Sequence, residues 1–284
     1  MIKMDERAIL KYLILTQIKG FGPIRQNRIL DLCGGIEQCF QDEEALIQMV
    51  YAKHGMRLGN CGRYPEDDRQ VQMDTKLLHS FVSQRNNPDL FEHVKRIMGK
   101  LYENGIRAIC REDPSYPKRF SGLRDMPVLI YVKGHLRINH FDSSVGIVGA
   151  RRCSREGRDK AVEITKQAAG SGRAVVSGMA KGIDSYAHTA ALKENGYTVA
   201  VLGCGPDICY PIEHRMLYDE IIRQSCIVSE YPPGTPPGRY AFPRRNRMIA
   251  ALSDELIVIE AGRNSGTNTT AAFCREYGRN VHSI

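Results

Sequence analysis

Val145-Gly-Ile-Val-Gly-Ala-Arg-Arg-Cys-Ser-Arg-Glu-Gly157 reads as a short buried strand, a glycine turn, a burst of arginines and a helix start. Ser154 is placed to cap that helix, and Ala161, Ile164 and Ala168 continue it at helical spacing. A strand, a glycine turn and a helix N-terminus together make an anion cradle. Free backbone N–H groups and the positive end of the helix dipole both face the turn. Arg151, Arg152, Arg155 and Arg158 add side-chain charge to it. The anion that suits it is either a nucleotide or a polynucleotide backbone.

Outward from this stretch, strand and helix alternate from Ser143 onward, the pattern of a mostly parallel sheet with helices on both faces. The apolar runs predict strands at Val145–Gly149, Ala174–Ser177, Thr198–Leu202, Cys226–Ser229, Glu255–Ile259 and Asn280–Ser283. Helices are expected to begin near Ser154, Asp184, Ile212, Pro243 and Thr267. In such α/β folds ligands sit outside the carboxyl ends of the strands. Those ends carry Gly149-Ala-Arg151, Ser177-Gly-Met-Ala-Lys-Gly-Ile-Asp184, Gly203-Cys-Gly-Pro206, Ser229-Glu230 and Ala261-Gly-Arg-Asn-Ser-Gly266. Glycine recurs through these loops, and their common edge predicts one shared site.

Towards the N-terminus the pattern is helical. Residues 4–17 form a first helix, and Ile18-Lys-Gly-Phe-Gly-Pro-Ile24 a tight connection to a second that carries Ile29 and Leu30. Leu15, Ile18, Gly20, Gly22 and Ile29 match the spacing of a helix-hairpin-helix unit, in which the Gly-x-Gly turn lets backbone N–H groups approach a DNA phosphate. A sterically tight αα turn accounts for the glycines equally well. Residues 55–68 are rich in breakers and read as a loop, while Leu90, Val94, Ile97, Met98 and Leu101 form one helical face. Short strands follow at Ile106–Cys110 and Val128–Lys133. A small helical N-terminal domain at 1–84 and an α/β domain at 85–284 result, with the boundary falling between residues 84 and 112.

The hydrophobic fraction of 42% allows a packed core, and the net charge of +8 favours a polyanionic partner. The nine cysteines include no C-x-x-C pair and no zinc-site spacing, so reduced thiols in a cytoplasmic protein are expected. The N-terminus has no signal-peptide core and no window has the apolar length of a membrane span.

Several nucleotide-binding signatures are excluded. The dinucleotide fingerprint needs G-x-G-x-x-G and an acidic residue ending the second strand, where this chain has Ser177-Gly178. No P-loop is present. Asp184 and His188, four apart at a helix start, share a face. With no further ligand at a suitable spacing they read as a helix cap and a packed polar group, not as an acid–base pair or half of a metal site. In Phe242-Pro-Arg-Arg-Asn-Arg247, Pro243 begins a helix and Arg244, Arg245 and Arg247 crowd its N-terminus, where the dipole disfavours cations. An external anion would compensate them; a solvated charged helix end is the alternative. Tyr240 and Phe242 beside these arginines suit a single strand, whose phosphates need charge and whose bases need stacking partners. Ser265-Gly-Thr-Asn-Thr-Thr270 either binds an anion or caps its own helix.

Taken together, Gly149-Ala-Arg151, Ser177 through His188, Val201-Leu-Gly-Cys-Gly205, Tyr210-Pro211, Ser229-Glu230, Phe242 through Arg247 and Ser265-Gly266 resemble the DNA-processing protein A (DprA/Smf) family over residues 113–284. Tyr116-Pro117 and Pro127-x-x-x-Tyr131-x-x-Gly134 resemble that family's lead-in, and the N-terminal helices suit its sterile-alpha-motif-like or helix-hairpin-helix prefix. The resemblance implies an extended Rossmann-like fold, usually a homodimer, and a role that is not enzymatic and needs no cofactor. Such proteins bind single-stranded DNA entering the cell in natural transformation, protect it and help load the RecA recombinase. The phosphate clamp it implies falls on Gly149 and Arg151, with Ser177, Gly178 and Lys181 from the second loop. Arg244, Arg245, Asn246 and Arg247, then Ser265 and Gly266, complete the implied DNA-binding set.

Two departures from the family pattern stand out. Ala150 replaces the clamp's hydroxyl residue, and the chain stops at Ile284 within the last strand, which reads as a truncated or short form. Two further readings use the same scaffold. A phosphoribohydrolase needs Pro-Gly-Gly-x-Gly-Thr-x-x-Glu, and the nearest stretch, Gly262 to Thr270, lacks the glutamate. A sensor binding a small nucleotide in the same cleft is the other.

Overall fold

Two amphipathic helices begin the described part of the chain. The computed structural model describes residues 6–55, 69–262 and 266–284, so most of the loop expected at 55–68, and Ser265, lie outside the described residues. Helix α1 (Glu6–Gln17) buries Ile9, Tyr12, Leu13, Ile14 and Leu15. Helix α2 (Pro23–Cys33) starts on Pro23, whose missing N–H would have had no intrahelical partner, and ends on Gly34 in the left-handed region. Between them Gly20 has φ +82°, whereas Gly22 is extended, so only the first glycine of the expected Gly-x-Gly turn is conformationally required. Helices α3 (Glu43–Lys53) and α4 (Arg69–Arg85) follow. Phe21, Phe40 and Phe81 pack ring against ring, and the buried Arg85 donates to the carbonyls of Cys39 and Gln41 beside them.

The chain divides into two compact units, Met1–Gly99 with Arg124–Leu129, and Lys100–Leu123 with Ile130–Ile284. The division falls within α5 (Pro88–Glu103).

The second unit is built on an eight-stranded sheet. Its strands are β1 (Arg107–Cys110), β2 (Leu129–Gly134), β3 (Ser144–Gly149), β4 (Ala174–Ser177), β5 (Thr198–Leu202), β6 (Cys226–Ser229), β7 (Glu255–Ile259) and β8 (Asn280–Ser283). Five of the six strands read from the sequence after Ser143 coincide with these to the residue, and β3 begins one residue earlier. Their spatial order is β1-β2-β6-β5-β4-β3-β7-β8. From β6 to β8 the pairings are parallel, and β2 runs antiparallel to β6. The fold is therefore the extended Rossmann-like α/β arrangement, with a mixed edge.

Parallel strands buried on both faces need helices above and below. Helices α6 (Arg155–Gly170) and α7 (Ile183–Lys193) place Ala161, Ala168, Ile183, Ala187 and Ala191 against Val145, Ile147 and Val175. Helix α8 (Arg215–Gln224) adds Tyr218 and Ile221 over Leu202 and Ile227. On the alternate residues Gly146 faces Ser253, just past α9 (Ala241–Leu252), and α9 packs on β3, β4 and β5 beside α10 (Gly266–Glu276).

Helix starts depart from expectation in three places. Helix α7 begins at Ile183 with Gly182 as its cap, not with Asp184, because the Asp184 carboxylate turns back to the amides of Gly178 and Ala180. A short 3₁₀ turn occupies Ile212–His214, and α8 begins only at Arg215. Helix α9 starts at Ala241, two residues ahead of Pro243.

Winding runs from β3 through β4 and β5 to β6, then returns to place β7 on the other side of β3. The loops that leave the carboxyl ends of β3 and β7 therefore diverge and open a crevice, where folds of this type bind ligands.

Candidate nucleic-acid interface

A cavity of about 560 Å³ lies at that crevice, lined by Gly149, Ala150 and Arg151 after β3 and by Gly262, Gly266 and Thr267 after β7. The β3 turn is wedged tightly. A Cβ on Gly149 would lie 2.1 Å from the Ile259 carbonyl oxygen and 2.6 Å from Ile183 Cγ1. The Ala150 N–H donates to that same Ile259 oxygen at 3.1 Å, and the Ala150 carbonyl accepts from Ile183 N–H at 3.2 Å. Arg151 leaves this fixed backbone exposed, its guanidinium 6.0 Å from the centre of the Phe242 ring. Phe242 in turn stacks on Tyr210, centroids 5.4 Å apart and planes at 30°. A cation over a stacked aromatic pair thus lines the cavity.

The N-terminus of α6 is capped as expected, with Gly157 N–H donating to Ser154 Oγ at 2.9 Å. Its positive end, however, is already occupied. The Glu260 carboxylate accepts the Ser154 N–H at 2.8 Å and the Ser154 hydroxyl, and a Cβ on Gly157 would strike it. Hydrogen bonds from Ser154 hold the Glu260 carboxyl below the usual carboxylate range. Glu260 adopts φ +54°, an uncommon conformation for a residue with a side chain. The cradle read from the sequence is thus filled by the protein's own carboxylate, while Arg151 lines the cavity as an exposed cation. Arg155 and Arg158 face Asp159 on a solvated helix surface.

The arginine cluster of α9 also differs from expectation. Arg245 is 5% exposed. Its Nη1 donates to the carbonyls of Gly178, at 2.6 Å, and Val201, and its Nε donates to Asn246 Oδ1 at 3.2 Å. A Cβ on Gly178 would lie 2.6 Å from this guanidinium, which explains the glycine. Beside it the buried Asp184 carboxylate accepts from Gly178 and Ala180 amides; burial pushes its pKa up against the opposing pull of Arg245. Asn246 donates to the Gly266 carbonyl at 3.0 Å and so ties α9 to α10. Arg247 forms a fork-to-fork pair with Glu230 at 2.8 and 2.7 Å, both side chains about 95% buried. Of the three arginines only Arg244 is half exposed, with Glu230 at 3.5 Å.

The structure thus gathers Gly149, Arg151, Arg245, Asn246 and Gly266 around one cavity. Ser177 is buried, its hydroxyl donating to the Ile147 carbonyl at 2.6 Å, and Gly178 is packed under Arg245. Lys181 is exposed and paired with Glu213 at 2.6 Å. Arg247 is directed to Glu230, away from solvent. Where the sequence suggested an external anion for these arginines, Arg244 and Arg247 share the internal carboxylate of Glu230, and Arg245 is satisfied by carbonyls and Asn246. His188 Nδ1 lies 2.7 Å from Thr198 Oγ1, and that hydroxyl donates onward to the Val175 carbonyl, so the ring N–H is the donor. Burial pushes its pKa down to about 3, so the ring is neutral, a packed polar group. Sequence reading missed Arg239, which lines the cavity from the segment before α9.

Comparison with known proteins gives the following. Residues 107–284 match the family model described as DNA recombination-mediator protein A. Protein Smf of Synechocystis sp. is 33% identical over 278 residues, covering 96% of this chain and 63% of its own length. The DNA processing protein DprA of Streptococcus pneumoniae is 43% identical over 172 residues, covering 61% and 60%. The chain therefore spans about three fifths of the length of these curated relatives. The X-ray structure of DprA from S. pneumoniae superposes with a TM-score of 0.75 at 30% identity, covering 96% of this chain and 86% of that one. DNA processing protein A from Helicobacter pylori, a structure that describes its single-stranded DNA binding mode, gives 0.58 at 28% identity, covering 63% and 80%.

Proposed function

Because this chain belongs to the DNA recombination-mediator protein A family, we propose that it binds single-stranded DNA at the β3–β7 crevice. The observation that carries this is Arg151, held on a rigid turn over the Tyr210–Phe242 stack, beside an open cavity and without a carboxylate partner among the described residues. A single strand offers both a phosphate for the guanidinium and an unpaired base face for the rings, whereas a duplex hides its base faces. The family resemblance extends the proposal to protection of incoming DNA in natural transformation, RecA loading and a homodimer.

The proposed role is binding and not catalysis. In the phosphoribohydrolase motif a glutamate would stand at position 270, where this chain has Thr270 lining the cavity. A titration of oligo-thymidine against a duplex of equal length, repeated over a salt series, tests the reading. The single strand is expected to bind more tightly, with log affinity falling at about −0.7 per phosphate contact against log salt. Preference for the duplex contradicts it. A mononucleotide that binds tightly where oligo-thymidine does not would establish the sensor instead, and release of free base from nucleoside monophosphates would establish the hydrolase.

A further inference from the structure

Two loops meet at the crevice, and each carries an exposed cation. The β3 turn presents Arg151, and the loop between β4 and α7 presents Lys181. Their backbones abut. The Ile183 N–H donates to the Ala150 carbonyl at 3.2 Å, and a Cβ on Gly182 would lie 2.8 Å from the Arg151 carbonyl oxygen. Ala180, the residue before Lys181, lines the cavity together with Arg151. A polyanion held at Arg151 therefore passes beside Lys181. The two cations differ in one respect. Among the described residues no carboxylate pairs with Arg151, whereas Lys181 Nζ donates to Glu213 Oε1 at 2.6 Å.

Glu213 stands in the 3₁₀ turn Ile212–His214, whose His214 Nδ1 donates to the Met179 carbonyl of the β4–α7 loop at 3.2 Å. That contact docks the turn on the loop and keeps the carboxylate within reach of Lys181. Hydrogen bonding from Lys181 holds the Glu213 carboxyl below the usual carboxylate range, so it is charged at neutral pH. Burial decides which carboxylate of this region a polyanion can displace. Arg247 and Glu230 are both about 95% buried, and parting them would strand a charge away from water. The side chains of Lys181 and Glu213 are 55% and 58% exposed, so water solvates each once they part. An ammonium is a point charge on a flexible stem and turns to a second anion without losing a fixed fork geometry.

We propose that Glu213 is a built-in competitor of single-stranded DNA, occupying Lys181 in the free protein and yielding it to a phosphate when a strand enters. This rests on the reading of the crevice as a single-stranded DNA site. The test is a double-mutant cycle on the full chain, with Glu213→Gln, Lys181→Ala and the two combined. Each binds oligo-thymidine over a salt series, with thermal unfolding to show that each is folded at the assay temperature. Glu213→Gln keeps the shape of the side chain and removes its charge. It is expected to bind about two- to fivefold more tightly than the wild type, the range of an exposed ion pair. Lys181→Ala should bind more weakly, with a salt slope flatter by about 0.7. Adding Glu213→Gln to Lys181→Ala should then leave the affinity where Lys181→Ala alone puts it. A gain of equal size in both backgrounds would mean plain repulsion of the strand by Glu213 and would overturn the competition. Wild-type affinity in Glu213→Gln would overturn it too. Either result, with Arg151→Ala impaired, leaves the DNA-binding reading standing. A wild-type chain that fails to bind oligo-thymidine at all would overturn both.

Discussion

Arg247→Ala should lower the stability of the sheet-containing unit by about 3–5 kcal/mol, the loss typical when one partner of a buried ion pair is removed. Glu230 is 4% exposed and receives two parallel hydrogen bonds from Arg247. Without them its charge stays buried, with Arg244 Nε at 3.5 Å as the remaining cation. Denaturant unfolding of the variant measures the effect directly. A loss below about 1 kcal/mol would place the pair among solvent-screened surface bridges and contradict the structural role given to Arg247. The prediction separates two kinds of arginine within one motif. Arg247 acts on the fold, and its replacement should impair every activity in proportion to unfolding. Arg151, which we propose acts on the ligand, should leave stability untouched.

Gly182→Ala is expected to be comparably damaging, at roughly 2–6 kcal/mol, from backbone strain and overpacking together. Gly182 has φ +78° and ψ −129°, a conformation essentially reserved for glycine. A Cβ there would lie 2.2 Å from the Ala150 carbonyl oxygen and 2.8 Å from that of Arg151. Both contacts are with backbone, so no side-chain rotation relieves them. Gly172, with φ +74° and nothing within 4 Å, would suffer the backbone strain alone. Because the clash is with the β3 turn, Gly182→Ala should also shift Arg151 and weaken DNA binding beyond what unfolding explains. Wild-type melting and binding in this variant would contradict the wedged geometry of the turn.

These two positions mark where the sequence was and was not legible. The parallel strands could be read because short, mostly apolar runs, as in Thr198–Leu202, are bounded by breakers and buried on both faces. The shared edge followed from strand direction alone. Long-range charge pairing could not be read this way. Nothing local tells that Glu230, seventeen residues before Arg247, lies against it, or that Glu260 crosses 106 residues to cap Ser154. Each of these carboxylates occupies a place that local reasoning had left for an external anion. Asp184 looked like a helix cap from its position, yet its carboxylate serves the preceding amides and Gly182 caps the helix. Arg239 carries no local pattern at all, and only the cavity draws it together with Arg151.

The central claim is that Arg151, fixed by the β3 turn, holds a phosphate of single-stranded DNA. Its most direct test is the salt dependence of oligo-thymidine binding by the wild-type chain and by Arg151→Ala. The account predicts a variant that melts like the wild type, binds all sequences about tenfold more weakly and has a log–log salt slope flatter by about 0.7. An unchanged affinity and an unchanged slope would contradict it.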